Sequence, residues 1–220
     1  MSSVSEQIKE ITASLPEKVA LVAVSKFHPA EAVLEAYNAG QRVFGESRVQ
    51  ELGEKREHLP NDIEWHFIGT LQSNKVKYIA PFISLIHSVD NLKLLLEIDR
   101  QAEKCGRVID ILLEFHIATE SSKHGLSMDE CATLLEAAKD AANIRIRGVM
   151  GMATFTDNEQ VVRSEFQMLK HYFETLKQCY FETDSSFNVV SMGMSDDYPL
   201  AIQEGTTMIR VGSKIFGGRG

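Results

Sequence analysis

Short β-branched runs, apolar almost throughout, alternate along this chain with longer stretches of helical spacing. The strand-like runs fall at 19–24, 42–44, 65–68, 85–87, 109–117, 144–150, 188–191 and 208–211. A strand covered by helices on both faces has no wet side, so it shows a continuous apolar run and not an alternation. The helical stretch at 29–39 opens on Pro29 and closes on Gly40, a start and a stop that match helix geometry. The stretch at 91–104 carries leucines on one face and ends before Gly106. Ser127, with Glu130 three residues on, predicts a capping box for a helix running to Lys139. The longest helix is expected at 159–178, and another at 5–14 precedes the first strand. Eight such units in 220 residues predict an α/β chain folded as a single (β/α)8 TIM barrel with an extra N-terminal helix, one domain over 1–220. An open doubly wound sheet is the competing architecture, and strand count alone does not separate the two.

Composition narrows the class. Hydrophobic residues make up 44% and charged residues 25%, an ordinary globular balance that excludes disorder, collagen and coiled coil as the main plan. No apolar stretch approaches the roughly 20 residues needed to span a bilayer. The first fifteen residues contain Glu6, Lys9 and Glu10 and no apolar h-region, so no secretion signal and no membrane partner are expected. A net charge of −8, from 23 basic and 31 acidic residues, argues against nucleic acid as a partner. It leaves room for a small anion held by local groups. Cys105, Cys131 and Cys179 are odd in number and far apart. They form neither a metal-ligand pair nor a disulfide framework, so a cytoplasmic location is expected.

In either architecture the chemistry belongs at the C-terminal strand ends. Lys26 follows the first apolar strand, which brings its stem to the barrel mouth. A poorly solvated lysine there loses charge and can attack an aldehyde; a lysine that only snorkels to the surface is the bland alternative. Ser191-Met192-Gly193-Met194-Ser195 follows strand seven, and Gly212-Ser213 follows strand eight. Glycines let backbone approach a ligand, and the loops after strands seven and eight are the usual phosphate site of a TIM barrel. Ser195 could instead simply cap the next helix, with Asp196 and Asp197 complementing its dipole. Arg210 lies inside strand eight, opposite in facing to Ile209 and Val211. A guanidinium turned into a barrel needs a partner, either a carboxylate or a ring-nitrogen acceptor. An aldehyde, a phosphate and a pyridine nitrogen on one molecule satisfy all three features, and pyridoxal 5′-phosphate (PLP) carries them.

The sequence resembles the pyridoxal phosphate homeostasis protein family, which shares the barrel of bacterial alanine racemase. The resemblance rests on Leu21 to Lys26, Phe44 to Glu51, Trp65 to Gly69, Leu71 to Lys75, His87 to Asp90, Ser191 to Asp197, and Met208 to Gly217, in that order. It implies that Lys26 carries PLP as an internal aldimine and that Arg210 faces the pyridine nitrogen. It implies that Ser191, Gly193, Ser195, Gly212 and Ser213 lie at or near the phosphate, with Ser47 near the ring. Position 47 is Ser where the family usually has Asn, Thr70 replaces a usual proline, and His116 stands where an asparagine is common.

His66 and His87 read as structural histidines; they could bind a metal, but no carboxylate or cysteine is spaced with them as a signature, and no metal site is expected. Alanine racemase uses a second base and an added β-domain, for which no room is expected before Gly220. The expected function is therefore a monomeric PLP carrier without substrate turnover, with PLP-dependent apo-enzymes as partners. The alternatives are a PLP-dependent amino-acid racemase or decarboxylase, using His66 or a water as base, and a cofactor-free Schiff-base aldolase.

Overall fold

The computed structural model describes residues 3–119 and 124–218. Helix α1 (Val4–Ser14) opens on a capping box in which the Ser3 side chain and Glu6 satisfy each other's backbone N–H groups. The strands follow as β1 (Ala20–Val24), β2 (Val43–Glu46), β3 (Glu64–Phe67), β4 (Leu85–Val89), β5 (Ile109–Phe115), β6 (Ile144–Gly151), β7 (Val189–Ser191) and β8 (Met208–Val211). All are parallel and hydrogen-bonded in sequence order, and β8 closes on β1. The structure is thus the expected (β/α)8 barrel and not an open sheet.

Between the strands lie α2 (Ala30–Asn38), α3 (Val49–His58), a 3-10 turn (Ser73–Lys75) running into α4 (Val76–Ile79), α5 (Leu92–Lys104), α6 (Met128–Ala137), α7 (Glu159–Tyr180), α8 (Tyr198–Gln203) and α9 (Ser213–Phe216). Ser127 and Glu130 form the predicted capping box on α6. Helix α3 and the short α4 lack a strong apolar stripe, and neither was assigned from the sequence pattern.

Two apolar clusters result. The larger fills the layer between sheet and helices, with Phe44, Phe67, Phe115 and Phe166 fully buried. The smaller is made of Val22, Leu85, Leu112, Met150, Val189 and Met208, one from each of six strands, and packs the inside of the barrel. Between β5 and β6 the register skips at Ile111/Leu112. Gly148 sits there at φ 151°, and a Cβ on it would lie 1.8 Å from the Val189 carbonyl oxygen. This bulge reverses the facing of β6. Val149 joins the outer layer and Met150 turns inward. Among the described residues no helix is long and apolar enough to cross a membrane.

Candidate functional site

A cavity of about 350 Å³ opens at the C-terminal ends of the strands, lined by Lys26, Ser195, Arg210, Gly212 and Ser213 among others. Five of the residues singled out in the sequence therefore meet at one place. The apolar wall comes from Val24, Ile68, Met152 and Met194, an apolar surface with a few convergent polar groups, as small-molecule sites have.

Lys26 is half-buried in the connection from β1 to α2. The backbone around it is bonded on both sides. Ser25 N–H donates to the Gly45 carbonyl at 3.1 Å, and His28 N–H closes a turn on the Ser25 carbonyl at 3.1 Å. Phe27 N–H donates to Glu51 Oε1 at 2.6 Å. His28 also lines the cavity; its ring stacks on Phe216 at 5.2 Å. Burial, with Lys55 nearby, lowers its pKa.

Ser195 and Gly212 tie the last two loops together, with Gly212 N–H donating to Ser195 Oγ at 3.3 Å. Ser195 does not cap α8; Asp197 holds that position, and its Oδ1 accepts from Met194 N–H at 2.5 Å. Gly212 lies tight against β1, where a Cβ would meet the Val24 carbonyl oxygen at 3.1 Å. The α9 turn begins directly after it, with Ile215 and Phe216 N–H both returning to the Gly212 carbonyl. The first N–H groups of such a turn have no intrahelical acceptor. With the two serine hydroxyls they form a donor set suited to an oxyanion.

Arg210 is buried at 4% exposure. Nη1 donates to the Ser191 carbonyl at 2.9 Å and to Ser191 Oγ at 2.7 Å, and Nη2 donates to the Gly151 carbonyl at 3.1 Å. Burial pulls its pKa down to about 10, opposed by Asp197 and Glu114, so it stays charged at neutral pH. Neither of the expected partners, a side-chain carboxylate or a ring nitrogen, is bonded in these contacts. Its described acceptors are two carbonyls and a hydroxyl, which leave other guanidinium N–H groups for the cavity.

Ser191 and Gly193 stand behind the cavity lining. Ser191 lies beneath Arg210, with Oγ 3.1 Å from His87 Nδ1. His87 Nε2 is 3.0 Å from His66 Nδ1. Burial lowers both histidines, His66 to about 3 and His87 well below the usual value, so both are neutral. Gly193, at φ 94°, packs on α8, where a Cβ would lie 2.6 Å from Ala201 Cβ. Ser47 lines a separate groove of about 820 Å³ with Arg48, Thr70 and Lys75. That groove is the larger, but it holds none of the other expected site residues.

Two features escaped the sequence reading. Glu114, on the inward face of β5 with Leu112, is buried at 7% exposure. Burial and then Asp90 push its carboxyl up to about 7, against Arg210. Behind Lys26, the Lys55 ammonium donates to Glu46 Oε1 at 2.6 Å, Glu51 Oε1 at 2.7 Å and the Ser25 carbonyl at 2.7 Å. The i,i+4 spacing of Glu51 and Lys55 was the available signal, but such pairs usually belong to wet helix faces. Among the described residues no three His, Cys, Asp or Glu side chains gather as a metal site.

Residues 1–220 match the family described as "Alanine racemase, N-terminal domain". The chain is 38% identical to a pyridoxal phosphate homeostasis protein of Vibrio alginolyticus, covering 100% of this chain and 99% of that one. It is 39% identical to one from Aquifex aeolicus, over 90% and 86% of the two. The solved structure of PipY from Synechococcus elongatus PCC7942 with PLP bound superposes with a TM-score of 0.89 at 36% identity, covering 98% of this chain and 100% of that one.

Proposed function

The chain belongs to the alanine racemase N-terminal domain family and within it to the pyridoxal phosphate homeostasis proteins, and on that basis we propose that it binds PLP covalently through Lys26 and carries it without substrate turnover. One observation carries the reading: Lys26, Arg210, Ser195, Gly212 and Ser213 line a single cavity, bringing an amine, a guanidinium and two hydroxyls together beside the glycine backbone. That donor set fits an aldehyde, a ring nitrogen and a phosphate. When bound, PLP supplies an aldehyde that condenses with a primary amine, a C=N bond forming as the carbonyl oxygen leaves as water with the two amine protons.

The chain's own groups do the rest. Ser195 and Ser213 hydroxyls, with the backbone from Gly212, hold the anion. Arg210 donates a hydrogen bond toward the ring nitrogen without giving up its proton, because its pKa remains near 10. The ring then stays a weak electron sink, which limits carbanion chemistry and suits storage. Met152 and Met194 supply soft apolar contact beside the ring. Residues 1–220 act as one binding domain, and PLP-dependent apo-enzymes are the recipients.

Borohydride reduction tests the reading. The purified protein with PLP is expected to absorb near the visible edge, to lose that band on reduction, and to carry the label on the peptide holding Lys26. Lys26→Ala is expected to remove both band and label with the fold intact. A label that persists in this variant, with Lys75 the first suspect, would refute the assignment. A protein showing no such band with added PLP would favour the cofactor-free aldolase.

A further inference from the structure

Outside the cavity, three charged side chains are gathered behind β1 and β2. Glu46 is fully buried, Lys55 is 6% exposed, and Glu51 is partly exposed. An ammonium has three N–H groups, and Lys55 spends all three, on Glu46, Glu51 and the Ser25 carbonyl. Burying ions costs more than burying apolar groups of the same size, so such a cluster is weak as a device for stability alone. Glu46 Oε2 is even left buried without a hydrogen-bond partner.

The bonds leaving the cluster land on the two neighbours of Lys26. Ser25 Oγ donates to Glu46 Oε1 at 2.6 Å, and its carbonyl accepts from Lys55. Phe27 N–H donates to Glu51 Oε1. Phe27 is the one non-glycine with positive φ among the described residues, at 68°. A residue with a Cβ does not hold that conformation unaided. Arg48 adds a further restraint, its guanidinium 4.8 Å over the Phe27 ring. If Phe27 relaxed to negative φ, the backbone joining residues 26 and 27 would take a different course, and the turn would no longer hold Lys26 in one place beside the cavity.

We infer that Glu46, Glu51 and Lys55 are positioning residues for Lys26, clamping the backbone on both sides of it so that its amine meets the aldehyde of a cofactor held in the cavity. The inference rests on the PLP reading above. None of the three side chains touches the cofactor; they act through the turn.

The test compares PLP with pyridoxine 5′-phosphate, which carries an alcohol in place of the aldehyde and cannot condense. In Glu51→Ala, loss of a charge-assisted bond to the Phe27 amide should weaken PLP binding by about tenfold. Pyridoxine 5′-phosphate, held only by the ring and phosphate contacts, should bind as to the wild type. Glu51→Gln keeps an acceptor for the amide and should restore PLP binding most of the way. In the ligand-free protein, exchange of the Phe27 amide hydrogen should speed up in Glu51→Ala and not in Glu51→Gln. An equal loss for both ligands would mean a damaged cavity and would overturn the clamp. So would unchanged PLP binding in Glu51→Ala while the wild type binds. A wild type that binds neither ligand would bring down the PLP reading and the clamp with it.

Discussion

Arg210 can only donate hydrogen bonds, so the groups beneath it must accept. Ser191 Oγ takes one from Nη1 and lies 3.1 Å from His87 Nδ1, with one lone pair and one proton left for that contact. His87 Nε2 in turn meets His66 Nδ1 at 3.0 Å, so with both rings neutral one proton lies in each contact and the sense of the Ser191 contact sets the tautomer of both rings. The two tautomers are therefore linked through the Ser191 hydroxyl. The chain runs through buried groups, and removing a link should be felt beyond it. Ser191→Ala leaves Arg210 short of an acceptor and His87 Nδ1 without its hydroxyl partner, and should cost about 1–3 kcal/mol of stability, measured by urea unfolding. Glu114 makes a second prediction. Its carboxyl is raised from 4.5 to about 7 by burial, so the folded chain holds a proton the unfolded chain releases. The folded state binds more protons between those values, and stability therefore falls as pH rises through that window. Glu114→Gln imitates the protonated form and should be more stable than the wild type at pH 8, by at most about 3 kcal/mol, with little difference at pH 5. Equal unfolding midpoints at pH 8 would show that the carboxyl ionises without penalty.

At the scale of elements, the turns and caps do what the sequence pattern asks of them, and the bulge does something the pattern cannot show. Ser127→Ala removes the side-chain half of the α6 capping box, the Oγ that accepts from Glu130 N–H, and should cost about 1 kcal/mol. Gly148→Ala should cost more, about 3 kcal/mol or beyond, because the added methyl meets the β7 backbone at a φ that also strains any L side chain. Thermal unfolding of both variants checks the order. The eight strands were legible because buried parallel strands read as apolar runs. Helix α3 was not, because its charges are there to meet β1 and β2 and to line a groove, and so they interrupt the stripe. The same cause hid the Glu46–Lys55–Glu51 cluster, since a buried ion pair and an exposed one look alike in sequence. Lys26, Arg210 and the Ser195, Gly212 and Ser213 loops were legible, because each ends or follows an apolar strand and the barrel brings such ends together. Ser191 ends β7 and Gly193 shares the loop of Ser195, but strand alternation and the packing of α8 turn them behind the cavity. No local pattern records that.

Across the whole molecule the barrel interior is layered. Asp110 pairs with Arg145 and Arg147 at the N-terminal end of the sheet, the six-residue apolar cluster fills the middle, and the polar groups collect at the C-terminal mouth. Ligand access is therefore from one side, and any base that acts on a bound amino acid must stand in that mouth. His66, the base considered for a racemase, does not meet the requirement. Its Nδ1 is taken by His87, and a pKa near 3 makes it a poor proton acceptor in neutral solution. His28 does line the cavity, but it lies two residues from Lys26 on the same turn with its ring against Phe216. Racemisation needs proton transfer on both faces of the cofactor ring, and His28 shares the turn that carries Lys26. Incubation of the PLP-loaded protein with L-alanine in D₂O is thus expected to give α-proton exchange no faster than the same concentration of free PLP, read by proton NMR. Sustained exchange well above that control would make the protein an enzyme. Its loss in His28→Asn or in Asp196→Asn, both of which line the cavity, would then identify the base that the carrier reading leaves out.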